Sequence, residues 1–165
     1  MSDALLARPL IPVASEGDAS ATCRAAFPRI AAAGGRPLVV HVVEKAGGAP
    51  DKASVEQREA VAEAAFAAAR DCAAEYDLEV ETDVIYGTDV GEAIIEAANA
   101  VDASAVVFQP RGGSWWLDLL TGDVRETLVT KADRPVVVLP DAEDAAATGA
   151  GAEDADANAN AEDDQ

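Results

Sequence analysis

The residues best suited to chemistry lie between Val106 and Asp123. The apolar run Val106-Val107-Phe108 leads into Gln109-Pro110-Arg111-Gly112-Gly113-Ser114. Paired glycines beside an arginine and a hydroxyl have the composition of an anion-binding nest, in which successive backbone N–H groups converge on a phosphate or carboxylate. Paired glycines in a turn more often serve conformation alone. Further on, Gly122-Asp123 precedes a helical run, and Glu126 follows Asp123 at capping-box spacing. A bare helix start can hold an anion on its free N–H groups. An aspartate cap occupies those donors and adds a like charge. At about 4 Å and an effective dielectric of about 20, that repulsion is of order 4 kcal/mol, or about three powers of ten in affinity. Two readings of Asp123 follow. The preferred one is a helix cap in a chain that does not bind phosphate. The other is a metal-assisted anion site with Arg111, Gly112, Gly113 and Ser114 as phosphate contacts.

Other chemistries find less support. His41 is the only histidine and sits inside the apolar run Pro37–Val43, which suits a hydrogen-bonded core histidine better than a catalyst. Cys23 and Cys72 each lie in an alanine-rich helical stretch and match no zinc or redox spacing, so they read as small buried hydrophobes. A nucleophile elbow, a P-loop and the dinucleotide fingerprint are absent. A response regulator needs an aspartate after its third strand and a lysine after its fifth, where this chain has Tyr86 and Leu139-Pro140. The expectation is a non-enzymatic protein with no metal site. Trp115 and Trp116 are the only tryptophans; local packing is the simpler reading, and a contact patch for a partner protein is the alternative.

The elements that must position these groups alternate short apolar runs with helical segments, the signature of βαβ units and a parallel sheet. Residues 1–8 read as a loose lead-in. Pro9–Val13 is a first strand, with Pro12 expected at an end because it lacks a ladder donor. Ala14–Gly17 reads as a turn, Asp18 as the cap of a helix to Ala33, Pro28 as a kink or split, and Gly34-Gly35 as the stop. Pro37–Val43 is a strand buried on both faces, and residues 44–53 an exposed loop. Ser54 with Gln57 forms a capping box for a helix to about Tyr76, with Val61, Ala65, Ala68 and Cys72 along its inner face. Leu78–Tyr86 alternates apolar with polar, as an edge strand does. Asp89 and Glu92 open a helix with Val90, Ile94, Ala97 and Ala98 inward. Ala105–Phe108 and Pro135–Leu139 are the fourth and fifth strands.

Composition narrows the setting. The 165 residues carry 31 acids against 12 bases, a net charge of −19. Nine acids and no base fall in residues 141–165, leaving 22 acids against 12 bases, or −10, for residues 1–140. Only Lys45, Lys52 and Lys131 are lysines. An acid-rich, lysine-poor surface suits a salt-loaded cytoplasm, where salt screens self-repulsion. Nucleic acid is an unsuitable partner, because no basic stripe is available to displace phosphate counterions. No apolar run approaches the roughly 20 residues of a membrane span, and no signal peptide is visible. Residues 141–165 lack large apolar side chains and are expected to be a disordered acidic tail.

Residues 8–140 resemble the universal stress protein family, of a halophilic-archaeal type. The likeness rests on strand and helix spacing, on Arg134-Pro135-Val136-Val137-Val138-Leu139, and on the stretch from Gln109 to Asp123. ATP-binding members carry G-x-x-G, nine residues, then G-[S/T]. Here those positions hold Gln109, Gly112, Gly122 and Asp123, so two of four match. The resemblance implies a three-layer α/β fold, adenine-nucleotide-alpha-hydrolase-like, with a five-stranded parallel sheet in the order 3-2-1-4-5 and four helices. It places a nucleotide site at Ala14, Val42, Gln109, Arg111, Gly112, Gly113, Ser114, Gly122 and Asp123. The site is degenerate: members that bind ATP have an aspartate where this chain has Ala14, and the Gln109 side chain stands where a glycine lets backbone approach closely. No cofactor is assigned, ATP being the candidate. The family pairs fifth strands across a two-fold axis, implying a homodimer through Val136–Leu139. The expected function is a dimeric, cytoplasmic binding or regulatory protein of the stress response. The alternatives are an ATP-binding member with slow or no hydrolysis, and an accessory subunit of a transporter or enzyme.

Overall fold

The computed structural model describes residues 4–45, 52–110 and 123–140. The elements run β1 (Pro9–Pro12), α1 (Glu16–Ala32), β2 (Leu38–Glu44), α2 (Lys52–Glu75), β3 (Glu81–Gly87), α3 (Val90–Ala100), β4 (Ala105–Phe108), α4 (Asp123–Lys131) and β5 (Val136–Val138). All strands pair in parallel in one sheet, ordered β3-β2-β1-β4-β5, as expected. The three-layer architecture follows from strand alternation. Ile11, Val39 and Val107 face α1 and α2, while Leu10, Val40, Val106 and Phe108 face α3 and α4. Both faces of β1 and β4 are buried, which explains their unbroken apolar sequence. β3 alternates exposed with half-buried residues at the sheet edge.

Several local expectations are corrected. Residues 4–8 are not loose. The Ser104 hydroxyl donates to the Leu5 carbonyl and accepts from the Arg8 N–H, both at 2.9 Å, and the Arg36 N–H donates to the Ala7 carbonyl at 2.8 Å. Helix α1 starts at Glu16, and its cap is Ser15, not Asp18: the Ser15 hydroxyl accepts from the Asp18 N–H at 3.3 Å. Pro28 does not split this helix, which continues to Ala32. Gly34, at φ +67°, ends it in a Schellman turn, with the Gly35 N–H donating to the Ile30 carbonyl at 2.9 Å. Helix α2 starts at Lys52, so Ser54 lies in its first turn and does not cap it. Its buried stripe is Ala62, Ala65, Phe66, Ala69, Cys72 and Ala73, and Val61 is exposed. β3 begins at Glu81, and Leu78 and Val80 instead pack on the α1–α2 core.

Pro12 closes β1, and the ladder continues past it through the Val13 N–H to the Val40 carbonyl at 2.8 Å. Asp89 caps α3 as expected, accepting from the Glu92 N–H at 2.8 Å. Helix α4 begins at Asp123, whose side chain is outside the described set. No helix among the described residues is long and apolar enough to cross a membrane. The expected acidic tail, 141–165, and both tryptophans lie outside the described residues.

Candidate ligand cavity

A cavity of about 620 Å³ opens at the carboxyl ends of β1, β2 and β4. In this strand order β1 and β4 flank the switch point, where open α/β sheets hold ligands. β1 contributes Pro12, Val13 and Ala14, β2 contributes His41 to Glu44, and β4 contributes Phe108. Val90 and Ile94 of α3 and Val124 and Leu128 of α4 close one side. Ser54, Gln57, Arg58 and Val61 of α2 close the other. The walls are mainly branched aliphatic and the polar groups gather toward α2.

The end of β1 is held by a buried carboxylate. Asp18 is the third residue of α1, and its Oδ2 accepts from the Ala14 N–H at 2.9 Å, while its Oδ1 accepts from the Thr22 hydroxyl at 3.4 Å. Negative charge in a first helical turn is favoured by the helix dipole. The arrangement fixes Ala14 at the cavity wall, where it presents a methyl group.

His41 is 7% exposed, and its Nδ1 lies 3.0 Å from the Val13 carbonyl. A carbonyl oxygen only accepts, so Nδ1 carries the proton and donates. Burial pulls the pKa of the ring down, and the bond to Val13 opposes that more weakly. The expected core histidine is therefore present, and it also lines the cavity. Cys23 and Cys72 are buried free thiols. Burial pushes Cys23 up first, and Cys72 and Asp18 add to it; burial also raises Cys72, with Glu75 adding and Arg24 opposing. Both shifts favour the protonated thiol, the less nucleophilic form.

Of the residues singled out in the sequence, Ala14 and Val42 share the cavity wall. Gln109 does not join them. It is buried, and its Nε2 donates to the Pro140 carbonyl at 3.0 Å, tying the exit of β4 to that of β5. The expectation that Gln109 faces Ala14 across the switch point and obstructs a ligand is thus not met. Arg111, Gly112, Gly113, Ser114 and Gly122 lie outside the described residues, as does the Asp123 side chain. Among the described residues, no group of three or more metal-ligating side chains could hold an ion. Sequence reasoning missed Glu44, Ser54, Gln57 and Arg58. A signal existed: 54, 57, 58 and 61 recur at the spacing of one helix face. Arg58 is the sole cation among the described lining residues, and its Nη1 donates to the Glu44 carbonyl at 3.4 Å.

Comparison with known proteins agrees with this architecture. Among curated proteins, none matches the chain. A universal stress protein from Burkholderia pseudomallei superposes with a TM-score of 0.65 at 22% identity, covering 82% of this chain and 97% of the other. The universal stress protein from Archaeoglobus fulgidus in complex with dAMP gives 0.60 at 21% identity, covering 80% and 96%. An Arabidopsis thaliana family protein with AMP bound gives 0.60 at 18% identity, covering 84% and 94%. At such identities these likenesses concern the fold. The model of the universal stress protein family matches residues 8–140. With most of its length matched, the chain belongs to the universal stress protein family.

Proposed function

We propose that this chain is a non-enzymatic binding or regulatory protein of the stress response, whose nucleotide site has degenerated. The observation that carries the reading is Ala14, fixed at the cavity wall by Asp18 and presenting only a methyl group where ATP-binding members have an aspartate. The rest of the described wall agrees: aliphatic side chains dominate it, and Arg58 is its single cation. In the sequence, Asp123 occupies the motif position that holds Ser or Thr in ATP-binding members, a carboxylate in place of a hydroxyl. Equilibrium titration with ATP and magnesium in molar potassium chloride tests this, and no binding tighter than millimolar is expected. Micromolar affinity selects the second reading, an ATP-binding member with slow or no hydrolysis. That reading is favoured by the retained cavity and by the dAMP and AMP complexes of its structural relatives.

The composition supports a cytoplasmic setting in a salt-accumulating, halophilic-archaeal cell. Association as a homodimer is supported by β5, which pairs with β4 alone among the described strands and leaves Val138 54% exposed. Light scattering in high salt is expected to give twice the protomer mass, and a single-protomer mass would remove the dimer.

A further inference from the structure

We propose that the cavity takes a small amphipathic monocarboxylate, with Arg58 as its counterion and the apolar body lodged toward α3 and α4. The inference rests on the reading of the cavity as a binding site that no longer favours phosphate, and it names the ligand class that the remaining walls select. The two sides of the cavity differ in chemistry. Toward α3 and α4 the described wall is Val90, Ile94, Phe108, Val124 and Leu128, with no polar side chain among them. Toward α2 it carries Ser54, Gln57 and Arg58. A molecule that spans the cavity therefore meets apolar surface at one end and polar groups at the other.

Arg58 fixes the sign of the polar end. Its Nη1 donates to the Glu44 carbonyl at 3.4 Å, which places the guanidinium at the exit of β2, where Glu44 also lines the cavity. A guanidinium carries five N–H donors, and this long bond engages one of them. Among the described residues Arg58 takes part in no ion pair. The side chain is partly buried, so its charge is screened less than that of a fully solvated arginine. A planar fork with donors to spare matches a carboxylate, which it can hold through two parallel hydrogen bonds. The count of charges sets the rest. Residues 1–140 carry −10, and the described wall offers one cation. One cation balances one negative charge, whereas a polyphosphate brings several with nothing further to meet them. Branched and aromatic side chains opposite Arg58 favour an aliphatic or aromatic body.

Phenylbutyrate and its uncharged amide, phenylbutyramide, are suitable probes, because they share a body and differ in charge. Titrations are made with the full chain in molar potassium chloride, and ATP with magnesium is titrated beside them. The wild type is expected to bind the acid about threefold to tenfold more tightly than the amide, the weight of one partly buried charge pair. Arg58→Gln is expected to bind acid and amide alike, and Arg58→Lys, which restores a positive charge without the fork, to recover part of the preference. Equal wild-type affinities for acid and amide would overturn the role of Arg58 even if neither variant folds, and so would a preference that survives in Arg58→Gln. No binding of either probe at about ten millimolar would overturn the ligand class. The ATP titration separates this failure from that of the reading beneath it: affinity weaker than millimolar leaves a degenerate nucleotide site standing, and micromolar affinity removes that reading and this inference together.

Discussion

The two faces of the sheet are built from similar side chains but closed to different degrees. On the α1–α2 face, Phe27, Ile30, Phe66 and a stripe of buried alanines pack against Ile11, Val39 and Val107 with almost no exposure. On the α3–α4 face, fewer residues are fully buried, and Val42, Ile85, Val90, Val124 and Val136 are only partly covered. The cavity borders this second face: Ala14, Ile94, Phe108 and Leu128 belong both to its core and to the cavity wall. The difference comes from helix length. α1 and α2 span 17 and 24 residues and run along each other, whereas α3 and α4 span 11 and 9. Among the described residues, the short pair leaves the cavity open at the carboxyl end of the sheet. The cavity also meets α2 through Ser54, Gln57, Arg58 and Val61, so it lies at the carboxyl edge of the sheet, bordered more by the looser face than by the closed one.

Two phenylalanines sharpen this contrast. Phe27→Ala on the closed face should cost about 4–5 kcal/mol, near the top of the range for losing a buried ring. Phe108→Ala should cost about 3 kcal/mol, because the space it vacates merges with an existing cavity. Urea unfolding in molar potassium chloride measures both, and equal losses would erase the proposed asymmetry.

A smaller effect concerns His41, which straddles the boundary between core and cavity. Its folded-state pKa lies below the ordinary 6.5. Above that value the ring is neutral in both states and its contribution to stability does not vary. As pH falls below 6.5, the unfolded chain takes up the proton first, so stability declines until the folded-state pKa is passed. The stability gap between wild type and His41→Asn should therefore shift against the wild type on acidification through this window. A gap independent of pH would mean that the ring is freely hydrated.

Much of the scaffold was legible in the sequence, because burial on two faces leaves an unbroken apolar run and burial on one leaves alternation. That contrast located β4 to the residue and set β3 at the edge. Helix ends were less legible. Three helices close with the same six-to-one hydrogen bond, Gly35 to Ile30, Leu78 to Ala73 and Ala103 to Ala98. Only the first announces itself with glycine; the left-handed position is taken by Asp77 in the second and Asp102 in the third. At the start of α1, Ser15 and Asp18 both fit a cap, and only three-dimensional placement shows that one caps while the other reaches back to Ala14. The cavity was half visible. Ala14 and Val42, implied by the family resemblance, do line the cavity, whereas Gln109 bonds to the distant Pro140 carbonyl, a contact nothing local encodes. Arg58 went unnoticed although it shares a helix face with Ser54 and Val61.

The central claim is that the cavity retains its room while groups unfriendly to phosphate replaced those that favoured it. The most direct measurement is the ATP affinity of Asp123→Ser beside that of the wild type, by equilibrium titration in molar potassium chloride. Removing one like charge at the start of α4 is expected to raise affinity by up to about three powers of ten, from a wild type weaker than millimolar. A wild type that already binds at micromolar concentration, or a variant no tighter than the wild type, would contradict the account.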